Sequence, residues 1–152
     1  MELVCLWVNN YKNLNGCYTL SAKYKIEPEV ETFKVSYSEN YLNNFFDPAG
    51  KINISAIIGE NGCGKTSILK IITKLLYDNH SREKRSSTQT IATLLLEIDG
   101  EFHYVSSADR LPIKIVFSEK IKYKQRIKAL IKPVYTIYFN YMLDSLKVNR
   151  HR

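Results

Sequence analysis

Residues Gly59 to Thr66 read Gly-Glu-Asn-Gly-Cys-Gly-Lys-Thr, the GxxxxGK[ST] spacing of a phosphate-binding loop. Each position has a physical reason. Glycines at 59, 62 and 64 admit backbone conformations closed to other residues, so that successive N–H groups turn inward onto phosphate oxygens. Lys65 reaches the β and γ phosphates as a point charge, and the Thr66 hydroxyl is the expected ligand of Mg²⁺. A helix opening at Thr66 sets its positive dipole end beneath the anion. Glu60, Asn61, Gly62, Cys63, Gly64, Lys65, Thr66 and Ser67 are therefore the candidate nucleotide contacts, with ATP and Mg²⁺ the expected cofactors. Cys63 carries two readings: a thiol among inward-pointing N–H groups that reacts readily if exposed, or a small residue tolerated in the loop.

Such a loop needs a strand before it and a helix after it. Ile52-Asn53-Ile54-Ser55-Ala56-Ile57-Ile58 is a β-branched run that predicts a strand buried on both faces. Ile68, Leu69, Ile71, Ile72, Leu75 and Leu76 follow at helical spacing, one broad apolar stripe opposite Lys70, Thr73 and Lys74. Strand, glycine loop and helix stand in the required order.

The flanking segments read as follows. Leu3 to Val8 predicts a strand, Asn13 to Gly16 a turn, Cys17 to Ile26 a partner strand and Thr32 to Tyr37 another, with a loop from Asn40 to Lys51. Asp78 to Thr90 is polar and without apolar period, a surface loop in which His80 is solvated. Thr93–Ile98 and Phe102–Val105 flank Asp99-Gly100, which predicts a β-hairpin with Leu94, Leu96 and Ile98 on one face. The same stretch imitates a Walker B strand, but Glu97 and Asp99 stand in the wrong order for metal and water. Pro112 to Phe117 reads as a strand, Glu119 to Ile131 as a helix with Ser118 as its N-cap, and Val134 to Phe139 as a strand.

Composition bounds the class. With 152 residues, 45% of them apolar, the chain fits one globular domain. Cys5, Cys17 and Cys63 form no CxxC pair, which supports neither a disulfide framework nor a zinc site and points to a reducing cytoplasm. The first ten residues lack a basic n-region and no apolar run reaches membrane length, so a cytoplasmic protein without a membrane partner is expected. Of the net charge of +7, the tail holds all the excess: Lys114 to Arg152 carries ten Lys and Arg against two acids, and the preceding residues carry twelve against thirteen. The run Lys120, Lys122, Lys124, Arg126, Lys128 and Lys132 suits a nucleic-acid backbone, a solvated face or an acidic partner.

An initial strand running into Asn10-Tyr11-Lys12-Asn13-Leu14, further β structure, and then Ile54-Ser55-Ala56-Ile57-Ile58-Gly59-Glu60-Asn61-Gly62-Cys63-Gly64-Lys65-Thr66 resembles the N-terminal half of an ABC-type ATPase head of the SMC, RecF and RecN kind. The OLD-like AAA-family ATPases of bacterial antiphage defence are the nearest in flavour. The resemblance implies an α/β P-loop NTPase fold: an N-terminal antiparallel β subdomain plus a P-loop strand and helix. It implies that Asn61 lies near the γ-phosphate and that Lys12 matches a basic position approaching the nucleotide. Tyr11 stands where the family's motif has a different aromatic, and Asn140 where many such heads place a Gln that senses the γ-phosphate.

Hydrolysis needs more than a phosphate cradle: a Walker B acid, a group to position water and charge on the transferring phosphoryl. None is recognisable between Met1 and Arg152. The resemblance puts these parts, and the signature loop that closes on a second head, in a C-terminal half. Residues 1–152 thus read as a single, incomplete head lobe with a loop at 78–90 and a basic tail at 114–152, hydrolytic only when completed. A homodimer or an ATPase–nuclease complex is the expected assembly. A complete small phosphotransferase and a non-catalytic nucleotide-sensing module with a partner-docking tail remain open beside it.

Overall fold

The computed structural model describes residues 1–29, 32–43, 45, 47, 49, 54–78, 91–108, 112–118, 121 and 128–129. Its strands are β1 (Glu2–Tyr11), β2 (Leu14–Thr19), β3 (Tyr24–Pro28), β4 (Thr32–Tyr37), β5 (Ile91–Ile98), β6 (Glu101–Ser106), β7 (Lys114–Phe117) and β8 (Lys128–Ala129). A single helix among the described residues, α1 (Lys65–Asp78), falls between β4 and β5. One sheet runs β2-β1-β5-β6-β8 and the other β3-β4-β7. Pairing is antiparallel except for β4 with β7 and β6 with β8.

The larger sheet is the middle layer, and alternation along its strands feeds two cores. Leu6, Val8, Leu94, Leu96 and Val105 share a cluster with Ile68, Ile71, Ile72, Leu75 and Leu76 of α1. Each such side chain contributes about 1.5–3 kcal/mol when fully buried. Cys5, Leu95 and Phe102 of the same sheet share the second cluster with Tyr24 and Val35 of the smaller one. Aromatic rings close this seam: Trp7 meets Phe33 edge-on at 6.5 Å, and Phe102 lies 5.5 Å from Tyr24 and 4.5 Å from Phe117.

The 93–105 hairpin forms as its dipeptide predicts, with Asp99 and Gly100 both at positive φ. Leu94 and Leu96 face α1, with Ile98 packed beside them. The strand at Thr32–Tyr37 also stands where the sequence places it.

Several expectations are corrected. The run Cys17 to Ile26 is not one strand; β2 stops at Thr19, and β3 begins at Tyr24 in the other sheet. Ser21 supplies the break, its hydroxyl accepting from the Lys23 N–H at 3.0 Å while donating to Glu2. The turn after β1 falls at Lys12-Asn13, one step earlier than expected, with Lys12 at φ 55° and Leu14 already paired to Tyr11. Leu69, assigned to the buried stripe, is 42% exposed because it lies at the margin of the helix's inner face. A helix through Ile131 does not hold either, since Lys128 and Ala129 pair with β6 as a strand. The strand at Val134–Phe139, Asn140, the 79–90 part of the polar loop and most of the basic tail lie outside the described residues.

The largest correction concerns Ile52 to Ile58. Residues 54–58 enter no ladder, and Ile54 and Ile58 are 58% and 90% exposed. The β-branched run has the composition of a central strand, but a strand forms only where neighbours satisfy its backbone groups. The segment is held to the body where Ser55 Oγ donates to Leu20 O at 2.5 Å and Ile57 packs on the helix-side core.

Candidate nucleotide-binding site

The loop Gly59–Gly64 leads directly into α1, whose first turn closes with the Ile68 N–H on Gly64 O at 2.9 Å. Helix residues begin at Lys65, one position before the expected Thr66. The first-turn N–H groups have no intrahelical partners, so the dipole and the glycine loop converge on one spot, as phosphate binding demands. Gly62 and Gly64 sit at φ 84° and 102°, a region costly to side chains. Gly59, expected to share such a conformation, does not have a positive φ; a Cβ there would meet the exposed Cys63 Sγ at 2.7 Å, a side-chain end that can move aside.

Lys65 folds over the loop. Its Nζ donates to Gly59 O at 2.7 Å and Glu60 O at 2.6 Å and lies 3.9 Å from Cys63 Sγ. A cation docked on loop carbonyls is positioned to exchange them for phosphate oxygens, the stronger acceptors. Within the loop the Cys63 N–H donates to Glu60 O at 3.3 Å. Glu60, Asn61, Cys63 and Thr66 are exposed, and Ser67 is half-buried. The residues expected to hold a nucleotide are thus gathered in one segment at the mouth of α1, and the glycine cradle, cation and hydroxyl suit a polyphosphate with its Mg²⁺.

Lys12 is brought to this end of the molecule by the β1–β2 turn. Its Nζ lies 5.6 Å from the centroid of the Tyr11 ring, and its neighbour Asn13 donates from Nδ2 to Gly62 O at 2.8 Å. Leu14, the first residue of β2, lies beneath Gly64: a Cβ on that glycine would stand 2.6 Å from Leu14 Cδ2. The contact between turn and loop joins residues 49 apart in sequence, so no local pattern marks Asn13 for this role. An Asn after a strand reads only as a turn former.

The imitation of a Walker B strand is resolved by packing. Glu97 Oε2 accepts from Lys23 Nζ at 2.6 Å and from Tyr24 OH at 2.6 Å, tying the two sheets together, and Asp99 makes the hairpin turn. Burial first, and then the Glu97 carboxylate, push the Tyr24 phenol far above its ordinary range. Among the described residues no cluster of three or more His, Cys, Asp or Glu is arranged to hold a metal ion. Cys5 and Cys17, on neighbouring strands, have their thiols in hydrogen-bond contact. That bond, then burial, raises the Cys5 thiol's pKa, and the same bond lowers that of Cys17.

A mixed α/β body whose glycine loop caps a helix N-terminus defines a P-loop nucleotide-binding protein. Comparison with protein families matches residues 35–149 to the AAA domain, and the chain belongs to that family. The matched region includes the loop and α1 and begins after β1–β3, so it does not reach Lys12 or Asn13. No curated protein and no solved structure matches the chain. Among the described residues no helix is long and apolar enough to cross a membrane.

Proposed function

We propose that this chain is the N-terminal part of an ABC-type, SMC- and RecF-like ATPase head that binds MgATP and is completed by a further segment carrying the Walker B and signature elements. The observation that carries the reading is the Gly59–Thr66 loop at the mouth of α1, with the Lys65 ammonium already drawn over it. In this reading the loop amides and Lys65 hold the phosphates, Thr66 supplies an oxygen to Mg²⁺, Asn61 lies by the γ-phosphate and Lys12 approaches from the β1–β2 turn. MgATP supplies the transferable phosphoryl group; this chain's residues bind and orient it. Glu97 is engaged by Lys23 and Tyr24, which supports a catalytic acid coming from elsewhere.

The exposed Ile54 and Ile58 support completion by further strands, since a β-branched run of this kind reaches its stable state only between neighbours. Closure of two such heads on nucleotide, and service in a bacterial DNA-related or antiphage complex of OLD-like type, extend the same proposal. Native mass spectrometry with MgATP tests it. Bound nucleotide in the wild type and none in Lys65→Ala is the expected result, and a dimer holding two nucleotides is expected when the completing half is supplied. Equal occupancy of wild type and Lys65→Ala would remove the site assignment.

A further inference from the structure

We propose that Asn13 is a positioning residue of the phosphate loop, its side-chain amide holding the Gly62 carbonyl outward so that the loop is set before nucleotide arrives. The inference rests on the nucleotide-binding reading above and adds to it a residue outside the GxxxxGK[ST] segment.

The argument starts from the planarity of the peptide. In a trans unit the C=O and the following N–H point in opposite directions. No cis peptide occurs among the described residues, and Asn13 Nδ2 donates to the Gly62 oxygen at 2.8 Å. The Cys63 N–H on the other edge of that peptide is thereby turned into the loop, where it donates to Glu60 O at 3.3 Å. A bond of that length is readily exchanged for a charged phosphate oxygen. Without an anchor, a glycine at φ 84° flanked by open space has many alternative orientations for this peptide.

Asn13 is itself held firmly. It sits between Lys12, at φ 55°, and Leu14, which is 1% exposed and wedged under Gly64. β1, which delivers the turn, pairs on both sides within the larger sheet. The amide therefore presents a donor from the sheet to the Gly62 peptide, whereas the other bonds of the loop, from Lys65 to Gly59 O and Glu60 O and from the Cys63 N–H to Glu60 O, all come from within the loop and its helix. Pre-ordering of this kind removes part of the entropy that binding would otherwise have to overcome.

The test uses the whole chain as wild type, Asn13→Ala, Asn13→Asp (the same shape without the N–H donor) and Lys65→Ala. Two quantities are measured: affinity for Mg²⁺ with a fluorescent ATP analogue, and NMR order parameters of backbone amides without nucleotide. Loss of one neutral hydrogen bond should weaken binding about two- to tenfold in Asn13→Ala, and Asn13→Asp, whose carboxylate also repels the Gly62 oxygen and the phosphates, should weaken it at least as much. The amides of Gly62, Cys63 and Gly64 should fall from the rigid range near ~0.85 toward ~0.6, with those of Val8 and Gly16 in the β1–β2 hairpin unchanged. Unchanged loop order parameters in Asn13→Ala would overturn the proposal, as would an equal loss of order along the hairpin, which would make Asn13 a turn former only. If the wild type binds no nucleotide, the functional reading fails. Loop order parameters then still decide whether Asn13 holds the loop.

Discussion

Gly64 joins the loop to the sheet, and replacing it with alanine separates two costs that are usually confounded. Its φ of 102° penalises any side chain, and its Cβ would stand 2.6 Å from Leu14 Cδ2 and 3.3 Å from Leu14 Cγ. Leu14 is 1% exposed and belongs to the helix-side core, so it has little room to withdraw. Gly62 is the internal control, with φ of 84° and nothing within 4 Å of the added carbon. Gly62→Ala should therefore cost the backbone term alone, about 1–2 kcal/mol. Gly64→Ala should cost that plus an overpacking term of about 1–3 kcal/mol. At about 2–4 °C per kcal/mol for a chain of this size, the second variant should melt about 2–12 °C below the first. Thermal unfolding followed by circular dichroism reads the difference. A double-mutant cycle with Leu14→Ala should recover the overpacking term as a favourable coupling of about 1–3 kcal/mol. Equal melting temperatures for the two glycine variants, or an additive cycle, would refute the contact between Leu14 and the loop.

Glu97 gives a prediction of opposite character: Glu97→Gln should lower stability by about 1–3 kcal/mol by weakening the acceptor shared by Lys23 and Tyr24, and leave MgATP affinity unchanged. A loss of nucleotide binding without a loss of stability in urea titration would instead assign Glu97 to the site. Tyr24 makes a prediction about pH. Its folded pKa lies above the unfolded value of about 10, so its contribution is fully present below that pH and declines as pH rises past it. Wild type should lose up to about 1.4 kcal/mol more per pH unit above ~10 than Tyr24→Phe does. Parallel stability profiles for the two proteins would show that the phenol is not held neutral by the fold.

The elements legible in the sequence are those whose signal is local. Asp99-Gly100 specifies a tight turn through two positive-φ positions, and the hairpin around it forms as read. The stripe from Ile68 to Leu76 specifies a helix with one buried face, and all of it but Leu69 is buried. The glycine loop is likewise a short motif, and it falls at the mouth of α1 as read, with Gly62 and Gly64 at positive φ. Tertiary structure decided what depends on neighbours distant in the chain. Cys17 to Ile26 reads as one partner strand, yet Ser21 divides it between two sheets. Ile54 to Ile58 has the composition of a buried strand and stays outside any ladder, because backbone pairing requires a partner that composition does not supply. The order of Glu97 and Asp99 already speaks against a Walker B strand in the sequence, but what Glu97 does instead appears only when Lys23, 74 residues away in sequence, is found on its carboxylate. Asn13 is an ordinary turn residue until folding sets it against Gly62. Turn and helix propensities are properties of a few adjacent residues, and the sequence alone determined them; pairing, burial and the bracing of the loop are properties of contacts, and only the folded chain decided those.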